Sequence, residues 1–320
     1  MPPISPGADD RIEPDARQPL AEIPESPKSS RRRWLATTFG GLTTGILGTA
    51  LYANRIEPHW VEIVRRDLPI AGLPPRLEGR TLMQLSDLHI GPVVDDAYLI
   101  ASLDRAAALQ PDIVVQTGDL IHSVPVSWPQ VDRILDHFPK GRLATVSILG
   151  NHDYGRGWSE TRAAASVADA LTSAGHTVLR DATHEVEGLR ITGFEELLGP
   201  QWREDRAASL VKHDRPHIVL CHNPEVCDVN LWDASRPASA YQGWVLSGHT
   251  HGGQVSVPFY GPPILPVVNK RYTSGEFAVA GGWRLYINRA LGYLRRVRFN
   301  VRPEITLFTL RAAPSPAHPA

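Results

Sequence analysis

Carboxylates, an amide and imidazoles recur along this chain in short clusters, each just after an apolar run. The clusters are Asp87-Leu88-His89, Gly118-Asp119, Gly150-Asn151-His152-Asp153, His222-Asn223 and Gly248-His249-Thr250-His251. Such groups ligate divalent cations. Asp87 and His89 are two residues apart, as are His249 and His251; if strand geometry continues through each pair, both side chains project to one face. Each cluster alone has a plainer reading, since an Asp after a strand caps a helix and Asn-His-Asp satisfies a turn through local side-chain bonds. Five complementary clusters at the same end of successive strands point instead to one shared site.

Asp87, His89, Asp119, Asn151, His222, His249 and His251 together offer enough oxygen and nitrogen for two divalent cations. Carboxylate, amide and imidazole donors suit Mn, Fe or Zn better than Cu(I) or an iron–sulfur cluster, and the choice among the three stays open. Asp119, isolated after a glycine, is the candidate bridge because its two oxygens can reach two ions. No thiolate is needed: on an alternating strand Cys221 points away from His222, and Cys221 and Cys227 have no CxxC spacing.

Elements must bring these clusters together. Hydrophobic patterning predicts an edge strand over 60–64, a loop over 69–75, and central strands over 81–86, 113–117, 143–149, 217–221 and 244–247. Shorter strands are expected at 177–179 and 189–192, with further strands at 276–280, 283–288 and 305–310. Helices are expected over 97–109, 131–138, 160–174, ending at Gly175 as a C-cap, and 203–212. Alternation of this kind makes an α/β fold with helices covering the sheets, and such folds bind ligands beyond the carboxyl ends of their strands. A hydrophobic content of 42% allows a sizeable core, and no interior linker divides residues 59–312.

The formal charge of -1 argues against nucleic acid as a partner, because phosphate-backbone binding leaves a basic footprint. Residues 1–33 are proline-rich and poor in apolar periodicity, which predicts disorder, as does the Ala/Pro tail 313–320. Arg31-Arg32-Arg33 followed by the uncharged stretch 34–54 reads as a twin-arginine export signal. The same stretch is about long enough for a membrane anchor of ~20 residues, and cleavage and anchoring both stay open. Either reading places the rest of the chain at the outer face of the cytoplasmic membrane or in the periplasm.

The ordered set Asp-x-His, Gly-Asp, Gly-Asn-His-Asp, His, Gly-His-x-His resembles the calcineurin-like metallophosphoesterases, over roughly Thr81 to Leu310. Ser86 to His89, Gly248 to Gln254, Phe259 to Pro262 and Asn288 to Gly292 are similar to its bacterial membrane-associated branch, some members of which carry a twin-arginine leader. Ala290 departs from the glycine common there. The resemblance implies a four-layer α/β/β/α sandwich of two mixed β-sheets. It implies one metal held by Asp87, His89, Asp119 and His251, and a second by Asp119, Asn151, His222 and His249. It leaves His152 facing substrate.

Two such cations lower the pKa of a bridging water and clamp an in-line displacement at phosphorus, with His152 as proton donor to the leaving oxygen and Asp153 either fixing the ring or capping the turn. Arg289, following a strand, is a candidate substrate contact, with a surface salt bridge as the plainer account. The expected activity is a metal-dependent phosphoesterase acting on a phosphodiester or pyrophosphate. The branch suggests a lipid-linked substrate such as UDP-2,3-diacylglucosamine, and the loop 259–268 is a candidate apolar lip for acyl chains. The alternatives are a metal-binding scaffold without catalysis, and a phosphomonoesterase or nuclease of the same fold. His152, which a structural metal site does not need, favours the enzyme.

Overall fold

The computed structural model describes residues 28–212, 215–232 and 243–313; the expected N-terminal disorder over 1–27 and most of the tail lie outside them. The chain divides into two units at Gly48 and Thr49. The described residues of the first are helical, within α1 (Lys28–Leu51), whose last residues belong to the second unit, so regular structure begins before Arg31 rather than after Arg33. Its apolar side chains Trp34, Phe39, Leu42, Ile46 and Leu47 are exposed. Among the described residues no helix is long and apolar enough to cross a membrane.

The second unit carries two six-stranded sheets. One is ordered β1 (Glu62–Ala71), β12 (Glu304–Ala313), β2 (Thr81–Leu85), β3 (Ile113–Thr117), β4 (Ala144–Ile148), β5 (Thr177–Val178). The other is ordered β10 (Gly275–Ala278), β11 (Arg284–Ile287), β9 (Trp244–Ser247), β8 (His217–Leu220), β7 (Leu189–Gly193), β6 (Ala182–Val186). Strands β2 to β5 run parallel, as do β7, β8, β9 and β11, while β12, β6 and β10 meet a neighbour antiparallel.

Strand alternation sorts each sheet's side chains into two cores. Ile113 and Val115 of β3 face Ile218 and Leu220 of β8 in the layer between the sheets. Val114 turns outward to α2 (Asp96–Ala107), α3 (Trp128–Leu135) and α4 (Thr161–Ser173), meeting Leu103, Ile134 and Val167. Val219 and Cys221 turn the other way, towards Ala207 of α5 (Glu204–Leu210) and Trp232. The result is the expected four-layer α/β/β/α sandwich.

Helix α3 lies three residues earlier than the expected 131–138, and strands β1 and β6 also differ from the sequence expectation. Strand β1 continues through Pro69 to Ala71, where a loop is expected. It is an edge strand, where a residue lacking an N–H is tolerated, and Leu68 and Ile70 are buried between the sheets. Strand β6 was not anticipated; it pairs with β7 through Glu187-Gly188, both at positive φ, which is the two-residue hairpin turn.

Candidate metal centre

All seven predicted ligands meet at the carboxyl ends of β2, β3, β4, β8 and β9, and all are buried. They do not converge by strand alternation. The strands end first, and Asp87, His89, Asp119, His249 and His251 have φ between 51° and 69°, in the left-handed region. Each such residue costs on the order of 1 kcal/mol or more, held here by bonds such as Asp87 N–H to the Gly118 carbonyl (3.0 Å) and His89 N–H to the Asp119 carbonyl (3.1 Å). In Asp87-Leu88-His89 the two kinks turn both functional side chains into the site and send Leu88 into the core.

The motif glycines are close approaches. A Cβ on Gly248 would stand 1.9 Å from Ser86 Oγ and 2.2 Å from Asp87 Oδ2, and one on Gly150 would stand 2.3 Å from Asp119 Oδ1. Both values are far inside contact distance, so these positions carry no side chain because two carboxylates pass through that space.

The donors form two groups, Asp87 with His89 and His251, and Asp119 with His222 and His249, the atoms within each lying inside 4.8 Å of one another. His89 Nε2 and His251 Nε2 lie 3.0 Å apart, and Asp87 Oδ1 is 3.2 Å from His251 Nε2. Asp119 Oδ2 reaches into both groups, 3.2 Å from His222 Nε2 and 3.6 Å from His89 Nε2. Backbone carbonyls orient two rings: His222 Nδ1–H donates to Thr117 O (2.8 Å) and His249 Nε2–H to Pro266 O (3.0 Å). His222 therefore presents Nε2 and His249 presents Nδ1.

The electrostatics call for positive charge at this point. Burial alone would raise the carboxyls of Asp87 and Asp119, yet facing imidazoles hold both below the usual carboxylate range: His251 and His222 for Asp87, His222 and His152 for Asp119. His222 is driven up against its own burial by Asp119 and Asp87, whereas burial lowers His89 and pushes His249 down to about 4. Asn151 Oδ1 is buried without a hydrogen-bond partner among the described residues. An orphaned amide oxygen, anionic carboxylates and imidazole lone pairs aimed at common points fit divalent cations.

His152 stands at the edge, half-buried, its ring 4.8 Å from that of His89. Its Nδ1–H donates to the His122 carbonyl (2.6 Å) and its backbone N–H to Asp119 Oδ1 (2.8 Å). Asp153 does not touch the ring. It caps the turn, accepting from Gly150 N and Ile121 N, and burial pushes its carboxyl up.

Arg289 is not brought into the ligand cluster. Its guanidinium is engaged by Glu304 (2.5 Å) and Glu62 (2.9 Å), while the residue lines a cavity of ≈ 410 Å³ with Gly252, Pro262, Ser274 and Val301. The following turn clamps the site from behind, Leu291 N–H and Gly292 N–H donating to the Ser86 and Asp87 carbonyls. Ala290 has φ 68°, a conformation in which glycine is unstrained.

Two residues escaped the sequence reading. His122 groups with His89 and His152 within the same 4.8 Å limit; its place three residues beyond Asp119 was the only signal. Glu196, beyond β7, is buried with no hydrogen-bond partner for Oε2 among the described residues, and burial pushes its carboxyl up to about 7, His222 opposing. The end of β7 is thus a sixth strand terminus on this face, hidden because Phe194-Glu195-Glu196 matches no ligand spacing.

Two mixed sheets with an Asp/His/Asn centre at their strand ends define a metal-dependent hydrolase of the α/β sandwich class. A family model described as calcineurin-like phosphoesterase matches residues 80–253, and the chain belongs to that metallophosphoesterase family, whose members use divalent metals. It is similar to the uncharacterized metallophosphoesterase YkuE of Bacillus subtilis, 32% identical over 89% of this chain and 99% of that protein. It is similar also to phosphodiesterase YaeI of Escherichia coli, 29% identical over 88% and 99%. UDP-2,3-diacylglucosamine pyrophosphatase LpxG of Chlamydia trachomatis is 27% identical over 81% and 92%.

Proposed function

We propose that this chain hydrolyses a phosphodiester or pyrophosphate with two divalent cations, outside the cytoplasmic membrane, on a lipid-linked substrate of the kind the LpxG relative is named for. The observation that carries the reading is Asp119 Oδ2 standing between the two donor groups, with His152 anchored beside them. Asp87, His89, Asp119 and His251 would hold one cation; Asp119, Asn151, His222 and His249 the other, with Asp119 shared. Bound there, the cations supply positive charge to the phosphoryl oxygens and a water acidic enough to attack near neutral pH. The chain's own contribution is positional. With Nδ1–H committed to the His122 carbonyl, His152 directs Nε2 into the site, and a protonated ring there delivers its Nε2 proton to the departing oxygen. The turn capped by Asp153 holds Asn151 and His152 on adjacent positions of one rigid segment.

The test is hydrolysis of bis-p-nitrophenyl phosphate and of UDP-2,3-diacylglucosamine by the full chain, stripped and reloaded with Mn²⁺, beside Asn151→Ala. Metal-dependent turnover that the variant loses is the expected result. Two bound metals per chain with no turnover on either compound would favour the metal-binding scaffold.

A further inference from the structure

The loop after the Gly-His-Thr-His turn has two unlike sides. Its inner side serves the metal centre: Pro266 O fixes the His249 ring, and Pro262 packs so closely on Gly253 that a Cβ there would lie 2.4 Å from it. Its outer side is apolar and bare. Val257 and Gly261 pair as a tight hairpin with Phe259 at its tip, fully exposed; Tyr260 and Ile264 are each 77% exposed and Val268 87%. A soluble surface rarely gathers that much apolar area in one short stretch.

The flanking chain segments are basic, while at the loop's end Glu225 accepts from Val268 N–H (2.7 Å) and Asn269 N–H (2.9 Å). No Asp or Glu occurs from Gln254 to Ser274 or from Asn288 to Pro303, stretches that contain Lys270, Arg271, Arg295, Arg296 and Arg302. The two segments are joined: Ser256 N–H donates to Phe299 O (2.8 Å), and Asn300 Nδ2 donates to Ser256 O (3.2 Å). The start of the folded unit reaches the same surface, Tyr52 meeting the Phe299 ring edge-on at 6.5 Å and Asn54 Nδ2 donating to Arg296 O. Exposed Arg55, Ile56, Arg295 and Arg296 extend the patch.

We infer that the Val257–Val268 loop is an interfacial docking element for an anionic lipid bilayer, its tip entering the headgroup boundary while Arg55, Arg295 and Arg296 meet lipid phosphates. A protruding aromatic and aliphatic tip, flanked by chain segments that carry basic residues and no acidic ones, matches the chemistry of a negatively charged membrane surface. Docking in this way sets the His249 and His251 side of the metal centre against the plane in which phosphates of lipid-linked molecules lie. The surface stands independently of the activity, and its test needs no turnover.

Helix α1 is also apolar and exposed, so the readout must be local. Cys221 and Cys227 are buried, which lets an environment-sensitive thiol dye report selectively from Tyr260→Cys, with Ser209→Cys on α5 as control, both in the full chain. With phosphatidylglycerol/phosphatidylcholine vesicles, the dye at 260 should shift to the blue and brighten while the dye at 209 stays unchanged. Arg295→Ala with Arg296→Ala should lower the partition coefficient by ~30-fold, at the energy typical of two basic residues at an anionic surface. Phosphatidylcholine alone should give a weaker response at 260. Three results overturn the inference: co-sedimentation with the dye at 260 silent, no co-sedimentation at all, or a concentration-dependent shift at 260 without lipid, which would assign the patch to a second copy of the chain.

Discussion

The His152 ring hangs from the backbone carbonyl of His122 by a 2.6 Å bond, and this pairing decides which ring nitrogen carries the hydrogen. A carbonyl only accepts, so Nδ1 carries the hydrogen and Nε2 is the nitrogen this bond leaves available. The anchor is a main-chain atom, insensitive to what side chain stands at position 122.

His152→Ala should lower kcat by roughly 10²–10⁴, the range for loss of a positioned acid, with metal content unchanged. The loss should be greater for an alkyl leaving group than for p-nitrophenolate, which departs without protonation. Equal losses for both would remove His152 from the proton-donor role. Metal content by mass spectrometry and kcat on the two ester types make the measurement.

Metal and fold should be linked through Asp119, whose oxygens contact imidazoles of both groups and the His152 backbone. Adding Mn²⁺ at a hundred times its Kd should stabilise the stripped protein by about 2.7 kcal/mol per site, seen as a rise in Tm. Asp119→Asn should abolish most of that rise. An unchanged metal-induced shift in the variant would show that Asp119 holds no cation.

Gly248→Ala inserts a methyl where Ser86 and Asp87 already stand. The expected cost is roughly 1–3 kcal/mol of stability, as for overpacked interiors, together with weakened metal binding because Asp87 must move. Urea denaturation and metal titration of one preparation test both halves. A variant as stable and as tightly metallated as the parent would contradict the packing described.

His176 offers a pH dependence away from the centre. It is buried beside Phe138, bonded to Ser147 at 2.7 Å, and burial pushes its imidazole down to about 4, Lys140 adding to the effect. The unfolded chain binds that proton near 6.5. The neutral ring's contribution is therefore fully present above pH 6.5 and lost as pH falls towards 4, an order of ~3 kcal/mol. His176→Gln should flatten this part of the stability profile, measured by urea denaturation between pH 7.5 and 4.5 on metal-free protein.

Arg31→Lys with Arg32→Lys should leave the protein in the cytoplasm if the twin-arginine reading holds. Cell fractionation reads this directly. Unchanged export would assign residues 34–54 to another route.

The sequence by itself determined the candidate ligand set and the layers that carry it. The two groups of candidate ligands sit where the Asp-x-His, Gly-Asp, Gly-Asn-His and Gly-His-x-His clusters placed them, because each follows a strand whose apolar run must be buried, and parallel strands deliver their ends to one edge. Ile113–Thr117 and Trp244–Ser247 were legible to the residue, since β-branched and aromatic runs bounded by turn residues leave little alternative. Strand β1 was not, because the consecutive exposed residues Arg65, Arg66 and Asp67 and then Pro69 interrupt its apolar pattern, leaving only Leu68 and Ile70 buried.

Only the tertiary structure decided how the clusters converge. Left-handed turns at five candidate ligands, rather than alternation, aim the side chains, and neighbouring backbone carbonyls hold such turns in place. It also decided that Arg289 pairs with Glu304 and Glu62, that Asp153 caps a turn, and that His122 and Glu196 border the centre. Apart from the Gly150 cap, those contacts join residues distant in the chain, with the His122 to His152 bond spanning thirty positions, and nothing in local spacing encodes a partner brought alongside by sheet packing.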